Sequence, residues 1–235
     1  AALGSKGYKI LLVDIDPQGN STSGLGINKK GLQKSSYSVL IGGSSAKDAV
    51  VKTPYDNVYV MPSSMDLAGA ELELIEFDKR ESKLKNALAG IVDDFDFIFL
   101  DCPPSLGLIT LNALNASDTV LVPVQCEYFA LEGLSQLMST IRLVKQRYNP
   151  ILELEGVLLT MYDGRTNLSM QVAEEVKRHF PGKVFATVIP RNVRLSEAPS
   201  HGKPVNHYDG SSRGSVAYKL LAEEFLKQNP LTERK

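Results

Sequence analysis

Short apolar runs that end in acidic residues constrain this chain more than any other feature. Ile10-Leu11-Leu12-Val13 delivers Asp14-Ile15-Asp16-Pro17-Gln18-Gly19-Asn20, and Phe97-Ile98-Phe99-Leu100 delivers Asp101 ahead of Cys102-Pro103-Pro104. An unbroken apolar run reads as a strand buried on both faces, the condition met in a parallel sheet. Such sheets bind their ligands outside the carboxyl ends of their strands. Pro17 cannot donate to a ladder, so the first strand stops by Asp16, and Gly19 permits the turn that follows. Taken alone, the turn reads as a solvated acidic strand end. Its recurrence further along gives it weight.

Between the apolar runs lie segments with helical spacing. Leu67, Ala70, Leu74 and Ile75 mark one helix, and Leu84, Leu88, Ile91 and Val92 another. Helices are also predicted over 108–116, 131–148, 168–180 and 215–227, with short helical pieces over 36–41 and 46–51. Strands are predicted over 58–61, 119–124, 156–159 and 184–189, with loops over 21–34 and 190–214. Residues 1–7 read as the last turn of a helix closed by Gly4 or Gly7. This alternation predicts the α/β class: a mostly parallel sheet with helices on both faces. No repeat or linker divides the 235 residues, so one domain is expected over 1–235.

Composition narrows the chemistry. With 43% hydrophobic residues and no apolar run near the roughly 18 residues of a membrane span, a cytoplasmic globule is expected. Cys102 and Cys126 form no C-x-x-C pair, and His179, His201 and His207 lack metal-ligand spacing. The net charge is only -1, yet eight cations face two acids between Lys177 and Lys219, a local +6 that leaves -7 elsewhere. That segment is a candidate polyanion footprint.

Four strand ends carry polar residues: Asp14 with Asp16, Asp101, Gln125 with Glu127, and Thr160. Parallel strands share a direction, so all should meet at one sheet edge. Asp101 after four apolar residues has the form of a Walker B aspartate, and magnesium favours one or two carboxylates together with phosphate oxygens and water. Asp16 is then placed to orient or deprotonate a water attacking a γ-phosphate.

Five segments, in order, resemble the ParA/Soj chromosome- and plasmid-partitioning ATPases. They are Leu11 to Asn20, Asp101 to Gly107, Pro123 to Glu127 with Ala130 to Leu134, Thr160 to Thr166, and Val188 to Pro199. The resemblance implies a deviant-Walker P-loop ATPase using ATP and Mg2+. It implies an ATP-dependent homodimer that binds double-stranded DNA without sequence preference. It also implies stimulation by a ParB/Spo0J-like centromere-binding protein, nucleoid association and no membrane partner. By position, Asp16 matches the catalytic aspartate, with Asp14 beside it, and Asp101 matches the Walker B residue, so Asp101 and Asp16 are the metal candidates. Met161, Pro190, Arg191 and Asn192 match segments that border the adenine. Glu127 is a candidate for nucleotide or dimer contact, and Arg194, Lys203 and Arg213 for DNA.

Members of that family begin with a strand and a K-G-G-x-G-K-T loop, and neither stands among these residues. The expectation is an N-terminally truncated ParA-like domain that binds ATP poorly by itself. About four phosphate contacts at roughly 1.5–3 kcal/mol each are comparable to the whole of micromolar binding, about 8 kcal/mol. Two other readings stand beside the ATPase. One is a non-hydrolysing DNA- or partner-binding module. The other is a MinD-like cell-division ATPase, which needs a basic amphipathic C-terminal helix, whereas here Glu223 and Glu224 stand among Leu220, Leu221, Phe225 and Leu226.

Overall fold

The computed structural model describes residues 1–128 and 130–231. Its strands are β1 Ile10–Asp14, β2 Val51–Lys52, β3 Val58–Met61, β4 Phe97–Asp101, β5 Thr119–Gln125 and β6 Glu153–Thr160. Its helices are α1 Asn20–Gly24, α2 Ser36–Leu40, α3 Ala46–Ala49, α4 Leu67–Leu74, α5 Lys83–Leu88, α6 Leu108–Ala116, α7 Ala130–Arg147, α8 Asn167–His179, α9 Val193–Glu197, α10 Val205–Tyr208 and α11 Arg213–Gln228.

β1 pairs in parallel with β3 on one side and with β4 on the other, and the short β2 adds an antiparallel edge to β3. The alternation of side chains along β1 explains why its run is apolar throughout. Leu11, Val13 and the following Ile15 enter a cluster with Leu40, Leu67, Leu84, Leu88 and Ile109 from α2, α4, α5 and α6. Ile10 faces the opposite layer, with Ala217, Leu221 and Phe225 of α11. Helices therefore cover both faces of the mostly parallel sheet, as the sequence predicts. The α11 apolar side is buried in this core, while Glu223 pairs with Lys6 at the surface and Glu224 accepts from the main chain at Ala186 and Thr187. Among the described residues, no helix is long and apolar enough to cross a membrane.

Six expectations are corrected. Residues 21–24 of the loop predicted over 21–34 lie in α1, and the helix marked by Leu84, Leu88, Ile91 and Val92 ends at Leu88. The ladder is divided: β5 and β6 form a separate parallel pair, and no ladder joins β4 to β5 among the described residues. All five β4 residues accordingly keep some exposure, although Phe97 and Phe99 pack on Phe225 at ring separations of 5.2 and 5.7 Å. The helix predicted over 46–51 stops at Ala49, since Val51 and Lys52 pair with β3.

Residues 184–189 run beside β6 but make only isolated bridges, Val157 to Val184 and Tyr162 to Pro190. The reason is a competing acceptor. The N–H groups of Ala186 and Thr187 donate to Glu224 of α11 at 2.6 and 2.8 Å instead of to a neighbouring strand. Finally, the loop predicted over 190–214 contains α9, α10 and a 3-10 turn over Ala198–His201. Asn192 starts α9 by accepting the Arg194 N–H on its side chain at 3.0 Å.

Candidate active site

The strand register sets the site. Asp14 and Asp101 are direct neighbours across the parallel β1–β4 pair, and the Ile15 N–H donates to the Asp101 carbonyl at 2.9 Å. Two carboxylates thus meet at the carboxyl ends of adjacent strands, where the sequence placed them.

Asp14 is fully buried, and its carboxylate is engaged within the chain. Oδ2 accepts the Thr22 N–H at 2.7 Å and the Thr22 hydroxyl at 2.6 Å, while Oδ1 accepts the Asp16 N–H at 3.3 Å. Burial pushes the Asp14 carboxyl above its ordinary range, the Thr22 hydrogen bonds oppose this, and the Asp101 charge adds a little to the rise. Asp14 therefore holds the turn around Asp16 and has no lone oxygen turned to solvent. Asp101 is also raised, by burial first and by the neighbouring Asp16 charge, against the Ser21 hydroxyl that donates to its Oδ2 at 2.5 Å.

Asp16 sits two residues past the strand and is half-buried. Its Oδ1 accepts the Gln18 N–H at 2.9 Å, which leaves Oδ2 without a hydrogen bond among the described residues. The turn closes as Gly19 donates its N–H to the Asp16 carbonyl at 2.8 Å. Gly19 adopts a left-handed φ of 59°, and a Cβ there would lie 2.8 Å from Lys29 Cδ, so glycine answers both constraints.

Asp14 and Asp101 are raised chiefly by burial and in smaller part by a neighbouring aspartate charge, and carboxylates crowded in this way are the donor set expected of a divalent cation. Asp101 with Asp16 fits magnesium in particular. Among the described residues, no three His, Cys, Asp or Glu side chains gather into an all-protein cage, and magnesium needs none when phosphate oxygens complete its shell.

The base-bordering candidates collect elsewhere. Met161, at a left-handed φ of 53°, follows β6, and Arg191 donates to Glu127 Oε1 at 3.3 Å. Met161, Glu127 and Arg191 line a cavity of about 930 Å3 between β5, α7 and α8, lined also by Val124, Leu134 and Leu168. Pro190 bridges to Tyr162, and Asn192 is occupied as the α9 cap. The carboxylate edge does not line this cavity. The DNA candidates separate by pairing. Lys203 and Arg213 are exposed, whereas Arg194 is held by Glu197 at 2.8 Å and Asp209 at 3.3 Å.

Three hydroxyls at the site escaped sequence reasoning: Ser21, Thr22 and Ser63. The run Asn20-Ser21-Thr22 directly after the turn was the available signal for the first two. Ser63 had none, since it reaches the turn from the end of β3.

A mostly parallel α/β sheet with carboxylates brought together at adjacent strand ends is the architecture of the P-loop NTPases, and comparison with known proteins places the chain among them. A family model described as an AAA domain matches residues 1–154. The chain is 56% identical over 224 residues to the sporulation initiation inhibitor protein Soj of Bacillus subtilis, covering 95% of this chain and 88% of that protein. It is 50% identical over 229 residues to the chromosome partitioning protein ParA of Myxococcus xanthus, covering 97% and 81%. A solved structure of cobyrinic acid a,c-diamide synthase from Mycobacterium smegmatis, with bound ATP analogue and magnesium, superposes with a TM-score of 0.83 at 40% identity, covering 96% of this chain and 85% of that one. The chain belongs to the ParA/Soj family of chromosome-partitioning ATPases. The likeness carries an ATPase and lends no support to the expected inactivity of residues 1–235.

Proposed function

We propose that residues 1–235 act as one ATPase domain that couples Mg-ATP hydrolysis to exchange between an ATP-bound homodimer and a monomer. The dimer binds DNA without sequence preference, and a ParB/Spo0J-like centromere-binding protein stimulates turnover at the nucleoid, with no membrane partner. The observation that carries this reading is the strand-end register of Asp14 and Asp101 beside the uncommitted Oδ2 of Asp16.

In this reading, Asp16 orients a water and receives its proton as the water oxygen bonds to the γ-phosphorus. The bond from that phosphorus to the ADP oxygen breaks, and the proton passes on to phosphate or solvent. Asp101 would hold Mg2+ directly or through water, and that ion would supply charge neutralisation at the phosphates. Asp14 keeps the Asp16 turn in place through the backbone. Met161, Pro190, Arg191 and Asn192 border the base, with Glu127 close by through its contact to Arg191.

Lys203 and Arg213 are the outward cations for DNA phosphates, and Arg194 shapes that surface through Glu197 and Asp209. The test assays ATP turnover with and without DNA and the centromere-binding partner. Stimulated turnover that Asp16→Ala abolishes is the expected result, and equal turnover in that variant refutes the assignment. Arg213→Glu should weaken binding to all DNA sequences alike and reduce the salt slope by about 1. An unchanged affinity and slope would remove Arg213 from the DNA face.

A further inference from the structure

We infer that Ser63 is a positioning residue for hydrolysis, acting through Asp16. This inference rests on the reading of Asp16 given above. Ser63 stands two residues past β3, as Asp16 stands two residues past β1, and the two strands are paired in parallel with Val13 opposite Met61. It is fully buried, and its hydroxyl and its N–H are both committed to the catalytic turn. The Ser63 hydroxyl donates to the main-chain carbonyl of Asp16 at 2.6 Å. Its main-chain N–H donates to Thr22 Oγ1 at 2.9 Å, and that hydroxyl in turn donates to Asp14 Oδ2 at 2.6 Å.

The outcome is a closed frame around one residue. The Asp16 N–H is held by Asp14 Oδ1, and its carbonyl by Ser63 Oγ and the Gly19 N–H. With the peptide groups on both sides of Asp16 fixed, its side chain has only its own rotamers in which to vary. The carboxylate direction is thereby set by β3 as much as by β1. Catalytic groups need placement to about 0.5 Å, and a misplacement of about 1 Å can lower rates by roughly 10²-fold. Of the two Ser63 links, only the hydroxyl touches Asp16 directly. Removing it leaves the N–H to Thr22, and with it the Asp14 network, in place. Nucleotide contacts lie elsewhere in the proposed site, so binding and turnover should respond differently.

The experiment measures kcat and KM for ATP in the complete chain for wild type, Ser63→Ala, Asp16→Ala and the double variant, with single-turnover hydrolysis for the slow ones. Thermal melts and ATP-dependent DNA binding accompany each. Ser63→Ala is expected to lower kcat by about 10-fold or more, with KM and ATP-dependent DNA binding retained. In the Asp16→Ala background the same change should have no further effect on hydrolysis, because the group it positions is gone. If Ser63→Ala does not fold, Ser63→Cys, which fills the site with a much weaker donor, takes its place with the same expectations. An unchanged kcat, a change confined to KM, or an equal loss in both backgrounds overturns the inference while wild-type turnover leaves the functional reading standing. A wild type without ATP turnover defeats the functional reading and this inference together.

Discussion

Thr22→Val isolates the hydroxyl that joins three parts of the carboxylate edge. Valine matches threonine in shape, so the fully buried position stays filled while the hydroxyl is lost. Two groups are left short. The Ser63 N–H loses its acceptor at 2.9 Å, and Asp14 Oδ2 loses the 2.6 Å donor while keeping the Thr22 N–H. An unsatisfied buried donor costs about 1–3 kcal/mol, and a hydrogen bond to a charged group contributes about 1.5–3 kcal/mol. Because one hydroxyl serves both, the terms overlap, and about 4 kcal/mol is expected. At roughly 2–4 °C per kcal/mol for a chain of this length, Tm should fall by about 8–16 °C. Thr22→Ser keeps the hydroxyl and loses one methyl, about 1 kcal/mol, so its melt should move by no more than about 4 °C. Calorimetric melts of the three proteins under one set of conditions decide the matter. Equal Tm losses for valine and serine would show that the methyl, and not the hydroxyl, carries the effect.

Glu224 offers a pH-dependent test of the segment that fails to become a strand. Burial raises its carboxyl, but hydrogen bonds from Thr187 and from the Ala186 N–H outweigh this, so the folded value lies below the ordinary 4.5. A lowered folded pKa means stability present above the ordinary value and lost as pH falls through the folded one. Glu224→Gln should therefore cost about 1–2 kcal/mol near neutral pH, and the gap between the two melts should close below roughly pH 4. A gap independent of pH would rule out the charge as its source. Gly214→Ala places a Cβ 2.6 Å from Leu195 Cγ, so the strain should exceed the helix-propensity gain and leave the chain about 1–2 kcal/mol less stable. Adding Leu195→Ala should recover part of that loss, and strictly additive melts would exclude the clash.

The strand ends were legible because each depends on local pattern. The run Ile10 to Val13 is apolar at every position because both faces of β1 are covered, and the same logic put Asp101 on the same sheet edge as Asp14, while their direct pairing came from the strand order. Helices α4 and α5 followed from three- and four-residue spacing, and α6, α7, α8 and α11 stand where helices were expected. The strand expected over 184–189 failed for a non-local reason: its β-branched and aromatic residues satisfy the strand pattern, and Phe185 and Ile189 still donate to β6, but Glu224, 37 residues beyond Thr187, captures the Ala186 and Thr187 donors between them. Arg194 likewise reads as a free cation in a basic stretch, until folding brings Asp209 of the α10–α11 connection to its guanidinium.

The sequence by itself determined the α/β class, the two strands that end in aspartates and the family, since these rest on periodicity and on contiguous residues. Tertiary structure decided which carboxylate keeps an oxygen free of hydrogen bonds among the described residues. Asp14 and Asp16 are two positions apart and chemically the same, yet Asp14 is sealed by Thr22 while Asp16 keeps one oxygen uncommitted. Ser63, 47 residues from Asp16, reaches its carbonyl only because β3 lies in register beside β1. Hydrogen-bond partners of that separation obey no period along the chain, and their choice is made by the parallel pairing of strands.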